Sequence, residues 1–249
     1  MKDGGRRIVT PRGAMLAGPD VLGGRPVAAV ESWFEPDYWA ARGGLAAATG
    51  GRGATWFLED GPRRWVLRHY WRGGSVARVL GDRFPWSGEV RVRAFVEFRL
   101  LAELAARGLP VPKPIVARYQ RSGMLYRCDL IMQRIVDAQP LSAMLSSHAL
   151  GDASWRAIGA AIARLHRGRV DHADLNAHNI LLGLQGDISV VDFDRGRLRA
   201  RGGAWTGRNL RRLHRSLAKI ARDLPPDRFC AEAWGYLLAG YGSAAREPV

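Results

Sequence analysis

Residues 170–182 read VDHADLNAHNILL and are followed shortly by ISVVDFDRG, and this stretch constrains the chain more than any other. Its Asp, Asn and His side chains lie between apolar runs, which marks polar loop chemistry set among apolar segments. Asp174 precedes Asn179 by five residues, and Asp192 stands thirteen residues further on, closing the apolar run Ile188–Val191. Carboxylate and amide oxygens suit a hard cation such as Mg²⁺, and a carboxylate beside a hydroxyl can take its proton.

The rest of the chain must supply a core for that loop. With 249 residues, 47% of them hydrophobic, and nine Trp, there is material for one large domain or two small ones, and disorder is excluded. No apolar stretch approaches the roughly 18 residues of a spanning helix, and the opening MKDGGRRIVTPRG lacks the apolar centre of a secretion signal. Neither spanning nor secretion is expected. Cys128 and Cys230 are far apart and have no metal-ligand spacing, so neither a disulfide framework nor a zinc site is indicated, and a reducing compartment fits.

Charge is more pointed: 38 Lys+Arg against 23 Asp+Glu leave +15, and only Lys2, Lys113 and Lys219 are lysines. Codon usage in a GC-rich genome accounts for an Arg-dominated excess as readily as function does. Whatever its origin, work elsewhere done by an ammonium falls here to a planar, permanently charged guanidinium.

Along the chain, residues 1–30 are rich in Gly, Pro and Arg without a period and read as a flexible basic arm. Trp33, Phe34, Tyr38 and Trp39 surround the helix-start signal Glu35-Pro36-Asp37. Gly50-Gly51-Arg52-Gly53 leads into Trp56-Phe57-Leu58, a turn at Asp60-Gly61-Pro62 and a second β-rich run from Trp65 to Tyr70, which together predict a hairpin. A helix is expected over 89–107, ending at Gly108, then an extended Pro-rich connection, two short strands near 115–119 and 124–135, and a helix over 152–166 with Asp152 as N-cap.

The string HADLNAHNILL with VVDFDRG resembles the catalytic and metal loops of the protein-kinase-like superfamily, and within it the bacterial kinases of 3-deoxy-D-manno-octulosonic acid (Kdo). The likeness extends upstream through WVLRHYWRGG, RAFVEFRLLAEL and LPVPKPIVA, over roughly residues 30–200. It implies an α+β, two-lobed protein-kinase-like fold: a small antiparallel sheet lobe with one long helix over 31–136, and a mainly helical lobe over 137–249, joined by an extended connector near 132–137. It further implies ATP as phosphoryl donor and Mg²⁺ as cofactor. Asp174 would be the catalytic base, Asn179 and Asp192 the metal ligands, and Gly51 and Gly53 a close backbone approach to the triphosphate. His172 matches the structural histidine of such loops, while Asn176 and His178 could simply tie the loop together. No lysine lies between Lys2 and Lys113, and the resemblance implies that Arg68 would stand in for the usual strand lysine, with Glu97 as its helix partner.

After Asp192 only 57 residues follow, without an A-P-E motif, so a peptide substrate is not expected. The segment 193–222 instead carries ten basic residues against one acid, and Leu210, Leu213, Leu217, Ile220 and Leu224 mark an amphipathic helix beginning near Arg208. Its leucines read as packing. Arg208, Arg211, Arg212 and Arg215 read as an acceptor or membrane surface, because a Kdo-bearing lipid A is anionic and lies in an anionic leaflet. By resemblance the expected activity is phosphorylation of the Kdo 4-hydroxyl on Kdo-lipid A or its precursor, at the cytoplasmic side of the bacterial inner membrane, peripherally bound. A kinase of heptose or another small hydroxylated acceptor, and an inactive kinase-shaped binder of polyanions, are the alternatives. No nucleic-acid motif accompanies the charge, and a nucleic-acid partner is not expected.

Overall fold

The computed structural model describes residues 5–47, 55–72 and 81–246, and the chain divides into two compact units. The first, Met1–Glu103 with Lys113–Arg134, is organised by an antiparallel sheet. Its strands are β1 (Arg6–Thr10), β2 (Gly13–Ala17), β3 (Leu45–Ala47), β4 (Thr55–Asp60), β5 (Arg63–His69), β6 (Phe84–Pro85), β7 (Pro114–Ser122) and β8 (Leu125–Gln133). They run in the order β1-β2-β7-β8-β5-β4-β3, with β6 pairing on β8. The predicted hairpin is β4–β5, in which Thr55 faces Arg68 and Asp60 faces Arg63.

The reading of residues 1–30 as a flexible arm is corrected. Arg6–Thr10 and Gly13–Ala17 form a hairpin whose second strand pairs with β7, placing Gly13 opposite Gln120 and Ala17 opposite Val116. Ala14, Met15, Leu16 and Ala17 are all buried, so this short run lacks the in-out alternation that marks a half-buried strand. Gly13 has a steric reason: a Cβ there would lie 2.3 Å from the Tyr119 carbonyl oxygen. Arg7 also clamps the hairpin down, donating through Nε and Nη2 to the two Glu89 carboxylate oxygens at 2.7 and 2.9 Å.

The aromatic cluster caps one face of this sheet. It forms a 3-10 turn (Ser32–Phe34) and a short helix (Pro36–Ala40), and Trp33 and Trp39 bury against Trp65 with ring centroids 5.0 and 6.0 Å away. The helix Arg93–Ala106 starts after a 3-10 turn at Glu89–Arg91, four residues later than expected, and buries Phe95, Phe98, Leu101 and Leu104. The connector is likewise shorter at its start, since Met132 and Gln133 still belong to β8. Asp137 then turns the chain with a φ of 52°.

The second unit, Leu104–Pro112 with Ile135–Val249, is mainly helical. Its helices are Leu141–Ser147, Asp152–Arg167, Trp205–Ala221 and Ala231–Ala245. Gly151 rather than Asp152 is the N-cap of the second; the Asp carboxylate sits inside the first turn, where it complements the helix dipole. Small residues let this helix cross Ala231–Ala245 closely. A Cβ on Gly159 would come within 2.0 Å of the Leu237 carbonyl oxygen, and one on Gly240 within 2.1 Å of the Arg156 carbonyl oxygen.

His166 closes the same crossing, with Nδ1 2.9 Å from the Tyr241 hydroxyl and its ring against Trp205. Burial lowers its pKa from the ordinary 6.5 to about 4. The unfolded chain therefore holds the extra proton between those values, and stability falls as pH drops through that window, by up to about 3 kcal/mol. Buried His172 is lowered too and acts in the same direction. Urea midpoints measured between pH 7.5 and 5.5 are expected to decline less steeply in His166→Gln than in the wild type; equal slopes would contradict this assignment.

Candidate active site

Two short sheets build the loop singled out by the sequence. Strand β10 (Val170–Asp171) leads into it, a 3-10 turn (Ala177–Asn179) leads out, and β11 (Ile180–Gly183) and β12 (Ile188–Val190) follow as an antiparallel pair with Ile180 opposite Val190. Beyond that register the Val191 N–H donates to the Asn179 carbonyl at 2.9 Å. Asn179 and Asp192 thus emerge from the same end of one hairpin. β9 (Ala138–Pro140) covers the far edge of β11, and β13 (Arg197–Leu198) pairs with β10.

Hydrogen bonds inside the loop are directed at the backbone of Asp174 and leave its carboxylate out of the scaffold. The Asp174 carbonyl accepts from Asn176 Nδ2 at 2.9 Å and Asn179 Nδ2 at 3.1 Å. Asn176 Oδ1 in turn accepts the His178 N–H, and the His178 ring meets Ser142 Oγ at 2.8 Å; both residues tie the loop. His172 Nε2 lies 2.9 Å from the Val191 carbonyl, while Nδ1 is buried with no hydrogen-bond partner among the described residues. Burial holds this ring neutral, and it acts as a strut between the two loops.

Ala173 and Asp192 have φ of 54° and 66°, left-handed values that cost a non-glycine residue about 1–2 kcal/mol. At Ala173 the strain is held by residues outside the sequence-based set. Its N–H points to both Asp171 Oδ1 and Asn209 Oδ1 at 3.2 Å, and Asn209 Nδ2 also donates to Asp171 Oδ1 at 2.9 Å. Arg199 donates to Asp171 Oδ2 through Nε and Nη2. Burial works to raise the Asp171 carboxyl, but the hydrogen bonds from Asn209 and Arg199, with the Arg199 charge, hold it below its ordinary range.

Asn209 belongs to the basic helix, which begins at Trp205 rather than near Arg208. Trp205, Asn209, Leu213 and Leu217 form its buried stripe, and the amide was visible in the sequence as a polar residue on an apolar face, which must find partners. One edge of the helix runs along the loop: Asn209 meets the Ala173 N–H, Arg212 the Asp174 carboxylate, and Ser216 Oγ the Ala177 N–H at 3.2 Å. Of the four arginines read as an acceptor or membrane surface, Arg212 turns its guanidinium to the loop and donates to Asp174 Oδ1. Arg208, Arg211 and Arg215 do face solvent.

In the sheet unit, Arg68 on β5 donates through Nη1 to Glu97 Oε1 and Oε2 at 3.2 and 3.4 Å. Glu97 is 1% exposed and also accepts from the Tyr70 hydroxyl. Burial first, and the neighbouring Glu97 charge second, push the Tyr70 hydroxyl well above its ordinary pKa, so it remains a donor. Gly51 and Gly53 lie outside the described residues.

A family model described as "Lipopolysaccharide kinase (Kdo/WaaP) family" matches residues 36–241. A 3-deoxy-D-manno-octulosonic acid kinase of Xanthomonas axonopodis pv. citri (strain 306) is 48% identical over 189 residues, 76% of this chain and 75% of that protein. Proteins of the same name from Xylella fastidiosa (strain 9a5c) and Stenotrophomonas maltophilia (strain K279a) are 46% identical over 194 residues and 44% over 187. These cover 78% and 75% of this chain, and 77% and 74% of the respective relatives.

Proposed function

The chain belongs to the lipopolysaccharide kinase (Kdo/WaaP) family, and from that premise we propose that it transfers the γ-phosphoryl group of ATP to the 4-hydroxyl of Kdo on Kdo-lipid A or its precursor. We read the sheet unit and the helical unit as the two lobes of a kinase-like fold. The observation that most directly supports the reaction is the loop geometry: amide hydrogen bonds fix the backbone of Asp174 and leave its carboxylate outside that scaffold.

In the proposed reaction the acceptor oxygen bonds to the γ-phosphorus as the bond to the β-phosphate oxygen breaks. Asp174 takes the hydroxyl proton, a role worth on the order of 10² to 10⁴ in rate. Asn179 spends Nδ2 on the Asp174 carbonyl, so its amide oxygen is the atom that would serve as a ligand. Together with the Asp192 carboxylate this makes an all-oxygen donor pair that fits Mg²⁺. Bound there, Mg²⁺ would neutralise charge on the phosphate oxygens. Arg68, oriented by Glu97, would contact the phosphates, with Gly51 and Gly53 allowing the backbone to approach them.

For location, we propose peripheral attachment to the cytoplasmic face of the inner membrane through the outward arginines. Among the described residues no helix is long and apolar enough to cross a membrane. Arginines near an anionic surface contribute about 1 kcal/mol each at low salt. The triple substitution of Arg208, Arg211 and Arg215 by Gln should therefore weaken capture by phosphatidylglycerol-containing vesicles by about two orders of magnitude, with the difference shrinking as salt rises. Equal capture at all salt concentrations would remove the membrane reading. The activity itself is tested by transfer of labelled γ-phosphate from Mg-ATP to Kdo-lipid A in mixed micelles, beside lipid A without Kdo. Label on the Kdo-bearing lipid alone is expected; label on neither would overturn the assignment.

A further inference from the structure

Arg212 differs from every other arginine of its helix by engaging the side chain at the centre of the loop. Asn209 and Ser216, before and after it on the same edge, hold backbone N–H groups, whereas Arg212 holds the Asp174 carboxylate itself. The pair is open to solvent, with side chains 44% and 30% exposed. An ion pair of this kind is held weakly, because water solvates both partners almost as well as they solvate each other. An incoming anion of better geometry can therefore take one partner away.

The acceptor class supplies such an anion. The relatives' printed name specifies an octulosonic acid, a sugar whose carboxylate is borne two ring positions from the carbon carrying the 4-hydroxyl. One end of such a ring reaches a guanidinium while the other presents its hydroxyl to the neighbouring carboxylate. Guanidinium and carboxylate match as a two-pronged hydrogen-bonded pair. Helical spacing places Arg208, Arg215 and Lys219 four residues before, three after and seven after Arg212, on the same side of the helix, so the local field favours an anionic acceptor.

We propose that Arg212 is the binding residue for the acceptor's carboxylate, and that it is occupied by Asp174 until the acceptor arrives. On binding, the sugar acid replaces Asp174 on the guanidinium, and Asp174 is released to accept the proton of the hydroxyl brought beside it. This rests on the Kdo kinase reading and deepens it: the site selects ulosonic acids, and a neutral sugar cannot make the exchange.

The experiment compares Kdo-lipid A with its Kdo carboxamide as acceptors for the wild type, Arg212→Gln and Arg212→Lys. The wild type is expected to prefer the acid by about 10- to 100-fold in kcat/KM, chiefly through acceptor KM, as suits a charged hydrogen-bonded contact. Arg212→Gln should lose that preference, handling acid and amide alike, and Arg212→Lys should recover part of it. An Arg212→Gln enzyme that still prefers the acid as strongly as the wild type would overturn the inference and leave the kinase assignment standing. So would a loss confined to kcat, which would mark Arg212 as a positioning residue for Asp174 alone. Absence of transfer to either acceptor by the wild type would bring down both.

Discussion

Asp174→Ala is expected to reduce phosphoryl transfer by at least about 100-fold while leaving the dissociation constant for Mg-ATP within roughly twofold. The separation follows from where the hydrogen bonds go. Asn176 and Asn179 grip the Asp174 carbonyl, and the Ala173 N–H is fixed by Asp171 and Asn209. Alanine keeps every one of these, so the loop and the Asn179 amide oxygen stay where they are. What disappears is the carboxylate, its bond to Arg212 and the proposed proton acceptor. Calorimetric titration with Mg-ATP alongside single-turnover transfer would check it; preserved turnover with lost nucleotide binding would reverse the roles assigned here.

The second large effect is structural. Gly159→Val should destabilise the helical unit by about 3 kcal/mol or more, lowering the thermal midpoint by roughly 10 °C. At this position the first side-chain atom would collide with the backbone of the opposite helix, 2.0 Å from the Leu237 carbonyl oxygen and 2.7 Å from the Tyr241 nitrogen. Backbone cannot rotate away as a side chain can, so the helices must separate and expose the apolar seam. Gly242→Ala is the matched control. It lies in the same helix pair with nothing within 4 Å of its Cβ direction, and alanine's higher helix propensity is expected to leave stability equal or raised by up to about 1 kcal/mol. Similar thermal midpoints for Gly159→Val and Gly242→Ala would contradict the close crossing.

The candidate loop was legible because its polar residues are close in sequence and lie between apolar runs. Asp174, Asn179 and Asp192 occupy one loop and one hairpin, and the resemblance to kinase catalytic and metal loops is what singled them out together. Arg68 and Glu97 could be paired across 29 residues because the resemblance puts them where a kinase's strand lysine and helix glutamate stand, and the chain offers no lysine for that strand. The misses share one cause: contacts distant in sequence. The hairpin at 6–17 looked like an arm because its partner strand lies about a hundred residues away, and Gly, Pro and Arg dominate its flanks. The contact of Arg212 with Asp174 was not foreseen, since a local count cannot tell that one guanidinium reaches residue 174. Asp171 and Arg199 were overlooked for the same reason, as β10 and β13 pair only once the intervening loop is folded.

The strand order β1-β2-β7-β8-β5-β4-β3 also has a consequence for synthesis on the ribosome. Both the first hairpin and the β3–β4–β5 meander join the sheet through β7 and β8, which are made last of the unit's main strands. At about 5–20 residues per second, the buried edge formed by Ala14, Met15, Leu16 and Ala17 waits on the order of 5–20 s for Val116–Gln120 to emerge. Throughout that interval the nascent chain carries an apolar strand with no neighbour on one side. The unit's sheet is thus closed only when its last main strands arrive, and until then this segment lacks the cover that the finished protein gives it.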